Sequence, residues 1–105
     1  MTAYVIGVLR ELQSQAAWEE YLKSAAKSFP ADAQVLAKFG AFSSPEADDV
    51  EGVALFAFPT YEAALDWYHS ADYTVAAGIR RSAARFDIFI VDGVAIPPAS
   101  REVAG

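Results

Sequence analysis

The sequence predicts an α+β domain with its elements in the order βαββαβ. Three observations lead there: four short apolar runs rich in β-branched and aromatic residues, amphipathic stretches between them with apolar residues three to four apart, and Pro, Ser, Thr and Asp at the junctions. With 105 residues there is room for one core and therefore one domain, because a second would need an apolar interior of its own.

The first strand is Tyr4 to Arg10, apolar with three β-branched residues and closed by polar Glu11, Gln13 and Ser14. Ser14 caps the helix that follows, in which Trp18, Tyr21, Leu22, Ala25 and Phe29 form one stripe while Glu19, Glu20, Lys23 and Lys27 take the other face. Pro30 ends it, since proline has no amide donor and disfavours helical geometry in the residue before it. Val35 to Phe42 and Val53 to Phe58 read as a second and third strand, paired as a hairpin around the turn chemistry of Ser43 to Asp49. Pro59 and Thr60 stop the third strand and start a second helix with a buried stripe of Tyr61, Ala64, Leu65 and Tyr68. That helix breaks at His69 and Ser70, and Ser70 with Asp72 begins a further turn running through Tyr73, Ala76 and Ala77 towards Arg80. Phe86 to Val91 is the last strand. From Gly93 the chain reads GVAIPPASREVAG, a loop or arm with two prolines. The order is that of a ferredoxin-like fold: an antiparallel four-stranded sheet with two helices on one face.

Side chains alternate across a strand, so a sheet with one face in water alternates apolar with polar. These strands are apolar on both sides. Tyr4, Ile6 and Val8 oppose Val5 and Leu9, Val53 and Leu55 oppose Phe56 and Phe58, and Phe86, Ile88 and Ile90 oppose Phe89 and Val91. Two helices cover one face only, so the other is expected to meet a second copy of the chain, or the tail.

The bulk properties exclude several classes. A net charge of -6 repels phosphate backbones and anionic lipid surfaces, which argues against nucleic acid and membrane partners. An RNA-binding module of this topology also carries a combined basic-aromatic signature on its strands, which these strands lack. The absence of cysteine excludes disulfides, thiolate nucleophiles and Cys-based metal sites. The N-terminus has no basic segment followed by a long apolar run, and no stretch nears the roughly 20 apolar residues of a membrane span, so a cytoplasmic protein is expected. No cofactor and no metal is implied.

The segments AYVIGV, FPTYEAALDWYHSADYTVAAGIRR and FDIFIVDGV together resemble the domain-of-unknown-function family 1330, dimeric α+β barrel proteins related in fold to antibiotic-biosynthesis monooxygenases. The likeness runs from Ala3 to Val94. Its most specific parts are Phe58-Pro59, Trp67-Tyr68-His69-Ser70 with Tyr73, Arg80, and Val91-Asp92-Gly93. It departs at Ala31 to Val35, where such proteins carry a Gly-Gly-Arg segment and this chain reads Ala-Asp-Ala-Gln-Val. If that arginine holds a ligand in relatives, this chain binds something different or nothing. The resemblance implies a dimeric α+β barrel domain over residues 1–94 with a C-terminal tail over 95–105, and says little about chemistry.

Candidate site residues come from the chemistry of the side chains. His69, the sole histidine, is the natural general acid or base, with Ser70 beside it and Asp66 and Asp72 near; the competing reading is a solvated histidine at a helix end, with a metal ligand as a lesser one. Arg80 follows Tyr73 by seven residues, so a continuous helix puts both on one face with Ala76 and Ala77 leaving space between. An arginine there can hold a carboxylate, phenolate or enolate oxygen, or else form a structural ion pair with one of the acidic residues. Arg81 reads as solvated. Trp67, Ser70 and Tyr73 are candidate ligand contacts, with Tyr68 and Trp18 more simply explained as core. Glu46, Asp48, Asp49 and Glu51 form a loop charge cluster without metal-ligand spacing.

The resulting functional expectation is a small-molecule-acting protein: a cofactor-independent enzyme of monooxygenase, isomerase or cyclase type on a small aromatic or carbonyl metabolite, with Arg80 holding an oxyanion and His69 moving a proton. The alternative is a non-catalytic ligand-binding or accessory dimer. The sequence identifies neither a reaction nor a substrate.

Overall fold

The computed structural model describes residues 1–95. Strand β1 (Ala3–Leu12) leads into helix α1 (Gln15–Ser28), followed by β2 (Gln34–Lys38), β3 (Gly52–Phe58), α2 (Tyr61–Tyr68), α3 (Ala71–Ala83) and β4 (Ala84–Asp92). The sheet is antiparallel throughout with order β2-β3-β1-β4, the ferredoxin-like arrangement expected from the element order. The expected C-terminal tail lies, from residue 96, outside the described residues.

Each helix starts on a hydroxyl cap. Ser14 accepts from the Ala17 amide, Thr60 from Ala63 and Ser70 from Tyr73, each satisfying one of the amides that a first helical turn leaves without a partner. The second helical segment is two helices instead of one, giving three among the described residues. Ser70 adopts an extended backbone, which stops α2 and lets its side chain start α3. The second strand is shorter than the expected Val35 to Phe42. It ends at Lys38 because Phe39 turns into the left-handed region at φ 53°.

The register assigns the two sheet faces. Val5 lies opposite Phe56 and Ile90, all under the helices, while Ile6 lies opposite Leu55 and Phe89 on the other face. Helix α1 lies mainly against α3, whereas α2 and α3 rest on the strands. Beneath α1 the gap to the sheet is bridged by aromatic rings. Trp18 and Tyr21 of α1 meet Phe86 of β4, and Phe29 meets Phe56 and Phe58 of β3 and stacks on Trp67 of α2 at 5.0 Å and 8°. The core therefore consists of two aromatic clusters under α1, with Val5, Leu9, Ala64, Tyr73 and Ala76 sealing it on the sheet and α2/α3 side.

No helix among the described residues is long and apolar enough to cross a membrane.

Candidate functional site

A cavity of about 190 Å3 lies between α1 and the sheet. Small residues make it. Gly7 of β1 and Ala54 of β3 are paired in register on the floor, and Ala25 and Ala26 sit in the α1 roof. Its walls are the two aromatic clusters: Tyr21 and Phe86 at one end, Phe29, Phe56 and Trp67 at the other. Of the lining residues, Ala26, Val35 and Lys38 are exposed, so the cavity opens between α1 and the edge strand β2, with Lys38 at the mouth.

Two glycines shape this region. A Cβ on Gly7 would overlap the tip of the Phe86 ring, so only glycine lets that ring approach β1 so closely. A Cβ on Gly52 would lie 2.9 Å from the ring of Phe39. The left-handed turn at Phe39 drops its ring over Gly52 and onto Trp18 at 5.5 Å, where it closes the end of the cavity near Tyr21 and Phe86. A non-glycine residue in that region costs of order 1 kcal/mol, which burial of a phenyl ring offsets.

One residue of the cavity wall, Tyr21, belongs to a polar chain that runs through buried Tyr73 to the half-buried Arg80. The Tyr21 and Tyr73 hydroxyls are 2.9 Å apart, and Arg80 Nη1 donates to the Tyr73 oxygen at 3.0 Å. Tyr73 has no exposed surface and Tyr21 very little. Burial pushes the Tyr21 phenol well above its ordinary pKa, reinforced by Tyr73 and only partly opposed by Arg80. Tyr73 is raised as well, again by burial, with its bonds to Tyr21 and Arg80 working the other way. Burial works against the charge on Arg80, but the neighbouring Tyr73 and Tyr21 hydroxyls outweigh it and hold its pKa above the ordinary value. Its guanidinium also lies 5.9 Å from the centre of the Phe86 ring. The site therefore holds two neutral phenols and a permanent cation.

The structure brings together some of the residues singled out from the sequence and separates others. Tyr73 and Arg80 share one face of α3 and are hydrogen-bonded, and among the described residues Arg80 bonds a tyrosine and not a carboxylate. Trp67 is buried, lines the cavity and donates its indole N–H to Ser28 Oγ at 2.9 Å. Ser70 caps α3 and donates to the Trp67 carbonyl at 2.7 Å, so it holds the segment carrying Trp67 and does not line the cavity. His69 is exposed at the C-terminal end of α2, its backbone amide on the Leu65 carbonyl and its ring edge-on to Tyr68. It also lies outside the cavity lining. Trp18 is core, and Tyr68 is half-buried against Tyr73. In the loop charge cluster, Asp49 pairs with Arg10 at 3.3 Å and Glu51 accepts from the Leu12 amide.

Sequence reasoning placed Tyr21 in the apolar stripe of α1 and stopped there. The signal was present: a phenol on an otherwise apolar stripe brings its hydroxyl into the core, where it requires a partner. Gly7, Lys38 and Phe39 carried no comparable local signal.

The sequence pattern of the family described as Domain of unknown function (DUF1330) matches residues 2–94. No curated protein matches the sequence. Among solved structures, a protein of unknown function from Rhodopseudomonas palustris superposes with a TM-score of 0.66 at 13% identity, covering 90% of this chain and 84% of that one. SnoaB, a cofactor-independent oxygenase from Streptomyces nogalater, gives 0.62 at 10% identity over 92% of this chain and 97% of its own. An ethyl tert-butyl ether d (EthD) family protein from Bacillus halodurans gives 0.61 at 12% identity, over 90% and 100%. At these identities the likeness is one of fold.

Proposed function

We propose that this chain, which belongs to the DUF1330 family, binds a small aromatic or carbonyl-bearing metabolite in the cavity under α1 and acts on it without a cofactor, as a homodimer. The observation that carries this reading is an apolar cavity of about 190 Å3 lined by Tyr21, whose hydroxyl is linked through buried Tyr73 to the half-buried Arg80. An apolar cavity of about 150 Å3 holds a benzene ring, so this one suits a molecule of one or two rings. The fold shared with a cofactor-independent oxygenase supports chemistry supplied by the substrate itself, with the protein contributing a dry pocket and a polarising group. In this reading Arg80 acts through the tyrosines. His69, on the α2–α3 corner, would have to reach a ligand that extends out of the cavity.

The homodimer is supported by the sheet face opposite the helices. Phe89 is 50% exposed and Val91 48%, beside Ile6, Val8, Leu55 and Val53 on the neighbouring strands. A contiguous apolar surface of this kind is costly in water and most simply meets its own copy. Light scattering is expected to report a particle about twice 11.3 kDa.

Cavity occupation is tested at Ala26, which is exposed on α1 and lines the mouth, so Ala26→Phe blocks entry without disturbing the core. Native mass spectrometry of the purified protein and quenching of Trp67 by one- and two-ring aromatic ketones are expected to show binding that Ala26→Phe removes. Binding that survives the substitution unchanged would place the ligand elsewhere. A non-catalytic carrier would release every bound compound chemically unaltered after prolonged incubation in air, which separates it from the enzyme reading.

A further inference from the structure

The buried polar chain has a direction, and the direction specifies the ligand. Arginine can only donate, so the Tyr73 oxygen accepts from Arg80 Nη1. Tyr73 has no exposed surface, and its own proton needs an acceptor; among the described residues the Tyr21 oxygen, 2.9 Å away, is the hydroxyl's one other hydrogen-bond partner. Were the bond reversed, with Tyr21 donating, the Tyr73 oxygen would accept twice and its proton would be left buried without a partner. Either hydroxyl of the pair can donate, and the order Arg80 to Tyr73 to Tyr21 is the one that leaves the unpartnered proton on the residue lining the cavity and not on the fully buried Tyr73. In that order Tyr21 accepts from Tyr73, and its own O–H has no acceptor among the described residues. That residue lines the cavity, whose other walls at this end are the ring of Phe86 and the backbone of Gly7.

We infer that Tyr21 is the specificity-determining donor of the cavity, and that the ligand enters with a carbonyl or other acceptor oxygen directed at the Tyr21 hydroxyl. The inference rests on the cavity being the binding site and adds to that reading which chemical group the buried end of the ligand carries. The Arg80 cation at the far end of the chain polarises the hydroxyls in the direction of the cavity. Because burial raises the phenol's pKa, Tyr21 remains a donor across the working pH range. A ligand whose polar group only donates would meet a donor there and be rejected, since the mismatch leaves two buried donors unsatisfied.

Three two-ring probes of nearly equal shape test this: 1-indanone, which only accepts, indane, which has no polar group, and indole, which only donates. Fluorescence titration of the full chain is expected to give 1-indanone about fivefold to tenfold tighter than indane, the range of one hydrogen bond, with indole no better than indane. In Tyr21→Phe the preference is expected to collapse to within about twofold while indane binding stays the same, which a merely structural role for the hydroxyl would not produce. The carbonyl stretch of bound 1-indanone should lie at lower frequency in the unaltered protein than in Tyr21→Phe. In Tyr73→Phe, which keeps the Tyr21 donor but cuts it from Arg80, the stretch should fall between the two. Retention of the ketone preference in Tyr21→Phe, or tighter binding of indole than of 1-indanone, would overturn the assignment of Tyr21 alone. Absence of binding by all three probes would overturn the cavity reading and this one with it.

Discussion

The two faces of the sheet are made by alternate residues of the same strands and end in different states. Under the helices, Val5 and Phe58 are 1% exposed, and on the other side Phe89 and Val91 are about half exposed. Composition does not separate them, since both faces are aliphatic and aromatic. The helix-covered face pairs large residues with glycine and alanine, Gly7 against Phe86 and Gly52 against Phe39, and gains an internal cavity from doing so. The open face carries Tyr4, Ile6, Val8, Val53, Leu55, Phe89 and Val91 with no strand glycine among them, and is framed at one end by charge, where Arg10 reaches Asp87 at 3.1 Å and Asp49 at 3.3 Å. Glycine set against large rings makes room for a ligand, and a continuous apolar surface suits a second sheet.

The sharpest way to break the comparison is truncation on each side. Phe58→Ala removes a buried ring that contacts Phe29 and Trp67, and is expected to lower unfolding stability by about 3–5 kcal/mol in a denaturant titration. If the two faces were equivalent, Phe89→Ala would cost as much in the isolated chain. The open face should instead reveal itself in association. Phe89→Glu is expected to weaken dimerisation about 10- to 100-fold by sedimentation, from the loss of roughly 1.5–3 kcal/mol of apolar burial, while the helical circular dichroism is retained.

A third effect belongs to the helix face alone. Tyr21 and Tyr73 have folded pKa values above the ordinary 10.0, so below that pH both folded and unfolded chains hold these protons and stability is unaffected. Above it the unfolded chain releases them while the folded chain keeps them, and stability falls as pH rises, by about 1.4 kcal/mol per pH unit for each tyrosine. Tyr21→Phe should flatten this alkaline limb in thermal melts, and an unchanged slope would mean that neither phenol is held protonated by the fold. The smallest effect is expected at the rim. Arg10→Ala removes two exposed ion pairs and should change stability by about 1 kcal/mol or less at low salt, and by less still at high salt.

Much of the fold was legible because its signals are local. Ser14, Thr60 and Ser70 cap helices through amides three residues ahead, and Pro30 stops α1 through its own ring, so neither needs the rest of the chain. That Tyr73 and Arg80 share one face was readable for the same reason, since seven residues are two turns of one helix, whereas their direct hydrogen bond was not, because the spacing suggested open room between them. The early end of β2 at Phe39 was not, because an aromatic residue enters the left-handed region only where tertiary packing compensates for it, here on Gly52 and Trp18.

The sequence by itself determined the element order, the helix starts and the apolar character of both sheet faces, because these depend on residues within a turn or a strand of one another. Only the tertiary structure decided where the cavity lies and which residue speaks for it. Gly7 meets Phe86, and the Tyr21 hydroxyl meets Tyr73 across 52 positions of sequence, through the strand register and the seating of α1 on α3. Contacts of that separation are set by how whole elements pack, and no spacing within a single element encodes them.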